Sequence, residues 1–515
     1  MKKLMIFTVI AAISIAANAQ QYYDVTKYGA KKDSSTLATK SIAAAIAAAS
    51  KAGGGTVYFP AGKYLTGPIH LKSNITILID AGAELHFSDN FDHYLPMVES
   101  RYEGVDVFSF SPLFYAYKAE NIAIKGRGLI NGHGKKWWDY ALAFYKNQTA
   151  RNKYQLLFDS VNKNIVLPDD ATQMQRGFLR PPFIQPLYCK NVLIEGITIT
   201  NSPFWTVNPE FCENVTVTGV TINNPKSPNT DGINPSSCRY VHISDCHISV
   251  GDDCITIKSG KDVPGRTKAF PAENITITNC TMLSGHGGVV IGSEMSGDVK
   301  KVTISNCVFD GTDRGIRIKT TRGRGGVVED IRVDNIVMKN IRDQAIVLDM
   351  EYSKTKPEPV SERTPKFRNI RFSNITAYTK KAMYINGLDE MPVSEISLHD
   401  VVFEAETGIV IRNAQDIELR HVRVNTKMGP AVSAEKSSRI LIDALSTAKP
   451  LMDAPLIRLT DVKEALLTNH WLFDGSHKFA EIKGAATSNI LLHNNILKGA
   501  TVTTAADVPT GTVQL

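Results

Sequence analysis

The chain has 515 residues, 43% of them hydrophobic and 21% charged, with a formal net charge of +7. That length allows a large core. The excess of positive charge is mild and no basic run carries interleaved aromatics, which argues against a nucleic-acid binder and suits an acidic substrate.

In chain order, Met1 to Ala19 reads as a cleavable signal peptide. Lys2 and Lys3 supply the charged start, Leu4 to Ile15 the short apolar run, and Ala17-Asn18-Ala19 the small-residue cleavage site. Loss of both lysines leaves +5, since the leader has no acids. No later stretch is long and apolar enough for a membrane-spanning helix. The pattern is bacterial in style, so the expected destination is the periplasm or the outside, with 20–515 as one domain. Tyr28-Gly29-Ala30 opens a strand-turn. The alanine-rich stretch from Ser41 to Ala52 predicts a helix stopped by Gly53-Gly54-Gly55, and Thr56 to Pro60 predicts a strand. Such a helix would cover the open end of a stacked sheet.

From there one phrase recurs: a polar residue, often Asn, then a short alternating apolar strand. It appears at Asn74–Ile79, Asn121–Gly126, Asn191–Gly196, Asn214–Gly219, Asn274–Asn279, Lys301–Asn306 and Asn369–Asn374, and again near Asp416 and Asn489. Alternation sends one face of each strand inward, and a single unit cannot bury that face. A stack of units can. The chain is therefore expected to be all-β, a right-handed single-stranded parallel β-helix with a short N-terminal capping helix. A propeller would need a steadier period, and a sandwich would need more tight hairpin turns.

Two segments interrupt the rhythm. Asp139 to Arg180 is polar and mixed, with Trp137 and Trp138 before it and Arg176 and Arg180 near its end; it reads as a long loop beside a groove. Lys354 to Pro365 reads as an exposed loop. The last fifteen residues, from Ala500, are weakly patterned and expected to be loosely held. The seven cysteines are Cys189, Cys212, Cys238, Cys246, Cys254, Cys280 and Cys307, an odd number that forbids complete pairing. Several follow Asp or Asn inside the repeated strands and read as small buried rungs. No Cys or His spacing points to a metal site.

The candidate site lies between Asn229 and Lys319. Asn229-Thr230-Asp231-Gly232 is followed by Gly251-Asp252-Asp253, then Gly285-His286-Gly287, then Arg317-Ile318-Lys319. Asp231 and Asp252 are 21 residues apart; His286 follows Asp253 by 33 and Arg317 follows His286 by 31. Each interval is about one coil, so the motifs should stand as a ladder along one face. Crowded carboxylates resist ionising together, which yields an acid and a base near neutral pH, as glycosidic hydrolysis requires. Arg317 and Lys319 flank Ile318, so a strand would turn both outward, where paired cations suit a substrate with its own carboxylates.

In these motifs the chain resembles glycoside hydrolase family 28, the polygalacturonases and related pectin hydrolases. Tyr28-Gly29-Ala30, Phe59 to Tyr64, and Gly126-Arg127-Gly128 through Asn131-Gly132 to Trp137-Trp138 extend the likeness over roughly 22–440. The resemblance implies that Asp252 is the general acid, kept protonated by His286, and that Asp231 and Asp253 activate water. It implies that Arg317 and Lys319 hold galacturonate carboxylates, that Asn229 positions Asp231 and its surroundings, and that Tyr352 contacts substrate. It implies no cofactor and no metal, an inverting reaction, and an acidic, galacturonate-containing polysaccharide or oligosaccharide as partner. An exo-acting galacturonidase is preferred to an endo-polygalacturonase or a rhamnogalacturonan-directed member. A pectate lyase would need calcium and a basic proton abstractor. A β-helix that only binds polysaccharide would not need the three acids and His286.

Overall fold

A computed structural model describes residues 22–146, 152–166, 180–224, 227–472 and 478–514. The expected leader and Arg176 lie outside them.

The recurring phrase builds a coil of parallel strands, 34 of which join one sheet. Its inward residues stack rung on rung. Ile77, Ile124, Ile194, Val217, Ile243, Ile277, Ile304, Val333 and Phe372 form one continuous row in register. All are buried. Each such side chain contributes about 1.5–3 kcal/mol on leaving water.

The Asn that opens the phrase has a backbone cause. Asn74, Asn121, Asn191, Asn214, Asn274 and Asn369 all sit at φ between +50° and +62°, where the coil turns a corner. Asn tolerates the left-handed conformation better than other residues with a side chain. Its amide also bonds to the coil below: Asn121 to Asn74 at 2.9 Å, Asn191 to Asn121 at 2.8 Å, Asn214 to Asn191 at 3.1 Å. The cysteines mark two further corners. Cys246, Cys280 and Cys307 follow the left-handed Asp245, Asn279 and Asn306, while Cys189, Cys212 and Cys238 follow the left-handed Tyr188, Phe211 and Ser237. All seven thiols are buried and free, as the reading as rungs expected.

The first helix, α1 (Thr39–Lys51), buries Ile42, Ala45, Ile46 and Ala49 over the first coils. Two segments depart from expectation. The Asp139–Arg180 stretch is not a simple loop: α2 (Lys135–Lys146) runs into it and α3 (Lys153–Val161) lies within it. Trp137 is fully buried and stacks on Phe91 at 3.9 Å, which fixes α2 to the coil. α3 starts with a reciprocal cap between Asn152 and Gln155. The end of the chain also differs from expectation, since Thr501–Thr504 and Val513–Gln514 pair with earlier coils and continue the stack. The loop after Lys354 is exposed, as expected.

Among the described residues the one antiparallel pair is a hairpin, β1 (Val98–Tyr102) and β2 (Val105–Ser109). It lies across the coil, and its tip at Gly104 abuts Gly260 and Lys261; a Cβ on Gly104 would meet the Lys261 amide nitrogen at 2.7 Å. Lys261 and Gly260 precede α4 (Asp262–Lys268).

Candidate active site

The site stands on a strip of three short strands, β3 (Ile255–Ile257), β4 (Val289–Ile291) and β5 (Ile316–Lys319), which continues into the long strand β6 (Val327–Asp349). Ile255, Val289 and Ile316 face the core in one row, and Ile233 pairs with Ile255 on the coil before. Asp231 therefore lies over Asp253, and the Gly232 amide donates to the Asp253 carbonyl at 3.0 Å. The ladder expectation holds for the acids and His286, whose amide donates to the Asp252 carbonyl at 2.9 Å. It fails for the cations. Thr312, not Arg317, pairs with Gly285, so Asp313 is the residue in register with His286, while Arg317 pairs with Val290 further along the strand. Coil lengths differ because loops differ, and a sequence interval does not give register.

Asp231, Asp252 and Asp253 each bring an oxygen within 4.8 Å of the others. Asp231 is 3% exposed and accepts from Asn234 Nδ2 at 3.1 Å and Thr256 Oγ1 at 3.4 Å. Asp253 is 1% exposed; its Oδ2 accepts from Lys319 Nζ at 3.0 Å, and its Oδ1 has no partner among the described residues. The Asp252 side chain is 18% exposed and is the most accessible of the three; its Oδ1 lies 3.1 Å from His286 Nδ1. The glycines around His286 are required by space. A Cβ on Gly285, at φ +154°, would meet the Asp252 carbonyl at 2.5 Å, and one on Gly287 would meet Val290 Cγ2 at 2.4 Å.

Two of the expected site residues have partners of their own. The Asn229 amide lies 3.5 Å from Asp252 Oδ2, in the surroundings of Asp231, while Asn234 donates to Asp231 itself. Asn229 is itself oriented by Arg180, which donates to Asn229 Oδ1 at 2.8 Å and to the Pro228 carbonyl at 2.6 Å. Lys319 is already engaged by Asp253 in a buried pair. Arg317 is half-buried, and among the described residues no ion pair engages it. Both cations lie 5.3 Å from the Tyr352 ring, so the structure brings Tyr352 to the site.

Sequence reasoning missed Lys258 and Glu294. Lys258 occupies the register position of Lys319 two coils earlier, with Gly292 between them. It pairs with Glu294 at 2.7 Å and lies 4.7 Å from the Trp205 ring. The period-two alternation Thr256, Ile257, Lys258 was the available signal.

Burial, and then the Asp252 charge, push the Asp231 carboxyl well above the usual range against the pull of Lys258 and Lys319. Asp252 goes the other way. Burial would raise it, but the His286 hydrogen bond and charge, with Lys319 and Lys258, bring it below the usual value. His286 is raised, chiefly by its bond to Asp252. The directions thus favour protonation at Asp231 over Asp252, whereas the expectation placed the proton on Asp252. The cluster titrates as a unit. Its positive partners are ammonium and imidazole groups, a set that fits proton transfer to and from a bound substrate.

Residues 167–423 match the family model of glycosyl hydrolases family 28, and residues 22–153 match one for rhamnogalacturonase A/epimerase, pectate lyase-like. A probable polygalacturonase of Vitis vinifera is 34% identical over 64% of this chain and 63% of its own length, so the chain spans less than two thirds of that relative. An endo-polygalacturonase of Pectobacterium carotovorum subsp. carotovorum is 30% identical over 68% of this chain and 80% of its own. The crystal structure of an exopolygalacturonase from Thermotoga maritima superposes with a TM-score of 0.71 at 34% identity, covering 78% of this chain and 91% of that one.

Proposed function

The chain belongs to glycosyl hydrolases family 28, and from that membership we propose that it hydrolyses the α-1,4-galacturonosidic bonds of pectic galacturonan. The observation that carries the reading is the triad of carboxyl groups within 4.8 Å, one accessible and paired with His286, two buried beneath it. Water attacks the anomeric carbon, the bond to the leaving oxygen breaks, and that oxygen takes a proton. Asp252 delivers it, since it is the most accessible of the three carboxyls; the proton crosses from His286 along their 3.1 Å contact. Asp253, with Oδ2 fixed by Lys319 and Oδ1 unengaged, accepts the proton lost by water, and Asp231 shares that task once it is ionised. Arg317 binds a galacturonate carboxylate, Tyr352 packs beside it, and Lys319 holds Asp253 in place. Carboxyls this close are associated with retention; the family membership favours inversion, with two acids sharing one water. NMR of freshly released product decides between them: β-anomer first supports inversion, and α-anomer first overturns it.

Exo action is the preferred mode. The expected periplasmic address, where short imported fragments are the substrate, favours it. The similar Thermotoga maritima structure is named an exopolygalacturonase, whereas the Pectobacterium relative is named an endo-enzyme. Product analysis on polygalacturonate, digalacturonate and rhamnogalacturonan separates these. Monomer alone from the start means exo, and a spread of oligomers means endo. The N-terminal pattern supports export with cleavage near Ala19, to the periplasm or beyond; N-terminal sequencing of the secreted protein tests that.

A further inference from the structure

We propose that Lys258 is a positioning residue for the water-activating pair: gripped by Glu294 and Trp205, it holds a fixed positive charge against Asp231 and so sets how far into acid the protein works. The inference rests on the reading of Asp231 as one of that pair.

The geometry is specific. Thr256 and Lys258 share one face of the strip, and Thr256 Oγ1 donates to Asp231 Oδ2 at 3.4 Å. Lys258 emerges one alternation further on, 5% exposed, with its ammonium 2.7 Å from Glu294 Oε2 and 4.7 Å from the Trp205 ring. A lysine held by a carboxylate on one side and an aromatic face on the other cannot swing into solvent. Lys319, at the same register position two coils on, is taken by Asp253. Of the two, Lys258 exerts the larger pull on Asp231.

The charges facing the group are Asp252 and Asp253 from the following coil, Lys258 at the end of β3 and Lys319 at the end of β5; Asn234 and Thr256 are the polar neighbours. Lys258 in turn faces Glu294, Asp231 and Asp253, and Glu103 from the hairpin feels it. Glu294 is also faced by Arg324 and Lys261. Burial would strip the charge from Lys258, but Glu294 and Asp231 raise it above its ordinary value, so it stays an ammonium. Burial would likewise protonate Glu294, but Lys258, Arg324 and Lys261 hold it well below the carboxylate range. Both shifts favour the charged pair. Because burial and two acids push Asp231 upward, its ionisation limits activity on the acid side, and Lys258 restrains that rise.

The test is the pH profile of kcat/KM on polygalacturonate for Lys258→Met, Lys258→Arg, Glu294→Gln and the double variant Lys258→Met/Glu294→Gln, with thermal melts of each. Removal of the positive charge raises Asp231 further. The expected result for Lys258→Met is an acid limb displaced upward by about one pH unit, a tenfold loss at the acid end that shrinks toward the alkaline end. Lys258→Arg keeps the wild-type limb, and Glu294→Gln moves it to lower pH. The double variant removes the Glu294 charge that has lost its lysine, which supplies a second charge-removed protein, and it keeps a smaller upward displacement because the two changes oppose each other. A limb that stays at its wild-type pH in a folded charge-removed variant overturns the proposal and leaves Lys258 as a packing element. Asp231→Asn separates the two levels: if it stays active, the reading of Asp231 itself fails, whatever Lys258 does.

Discussion

Replacement of Asp252 by Asn removes the group that passes the proton and little else. Asn matches the carboxylate in shape, and its oxygen in the Oδ1 position still accepts from His286 Nδ1 and from the Asp253 amide, now at 3.1 and 3.0 Å. The Oδ2 position becomes an amide nitrogen facing Asn229 Nδ2. Asn229 cannot turn over to suit it, because Arg180 holds its oxygen, but that contact is long at 3.5 Å and costs little. Substrate binding should therefore survive. The rate should not: loss of a positioned general acid removes about 10²–10⁴-fold, or roughly 3–5 kcal/mol of transition-state stabilisation. The assay compares two leaving groups. On oligogalacturonide, whose leaving alcohol needs a proton, kcat should fall by that factor with KM nearly unchanged. On an aryl galacturonide, whose phenolate leaves unaided, the loss should shrink to within about tenfold. Equal losses on both substrates would refute the assignment of Asp252 as the acid. If Asp231→Asn gave the split instead, Asp231 would be the acid.

His286 is raised by Asp252, so its contribution to the pairing is fully present below the unfolded value of about 6.5 and is lost as pH rises through the folded one. The alkaline limb of kcat should follow that loss and disappear from the profile of a low-activity His286→Ala variant, with little change in melting temperature because the ring is half-exposed. Lys319→Met should strip a buried carboxylate of its ammonium and cost about 3–5 kcal/mol; calorimetry should show a clear fall in Tm, largely recovered by adding Asp253→Asn. All seven thiols are free and buried, so reductant should leave the melting curve unmoved, and thiol titration should count seven only after denaturation of the full chain.

The coil was legible because its period is written twice, in the alternation of strands such as Asn274–Asn279 and in the Asn that opens each phrase. The corner conformation that selects Asn was visible only as a habit of the sequence until φ was known. The acids and His286 were legible because coils between Asp231 and His286 keep their motifs next to the same strip. Arg317 was misregistered by four positions, since a loop of unknown length intervenes on every coil. The helices around Trp137 and Gln155 were missed although they left signals: a buried Trp with Ala141 one turn on, and Asn152 followed three residues later by Gln155. Their polar composition, which serves solvent on the outer face, concealed them. Lys258 escaped notice because a lysine at a strand end is ordinarily a solvated tip, and only packing by Trp205 and Glu294 makes it otherwise.

The stacked corners have one more consequence. Since every coil meets only the coil before and the coil after, the molecule behaves as a one-dimensional chain of coupled units. The reactive groups occupy consecutive units between Asp231 and Tyr352, and further units follow toward the C-terminus that contribute no reactive side chain among the described residues. Those later coils serve as a buffer against fraying: thermal opening can travel inward from the C-terminal end and close again before it reaches the rung that carries Asp253.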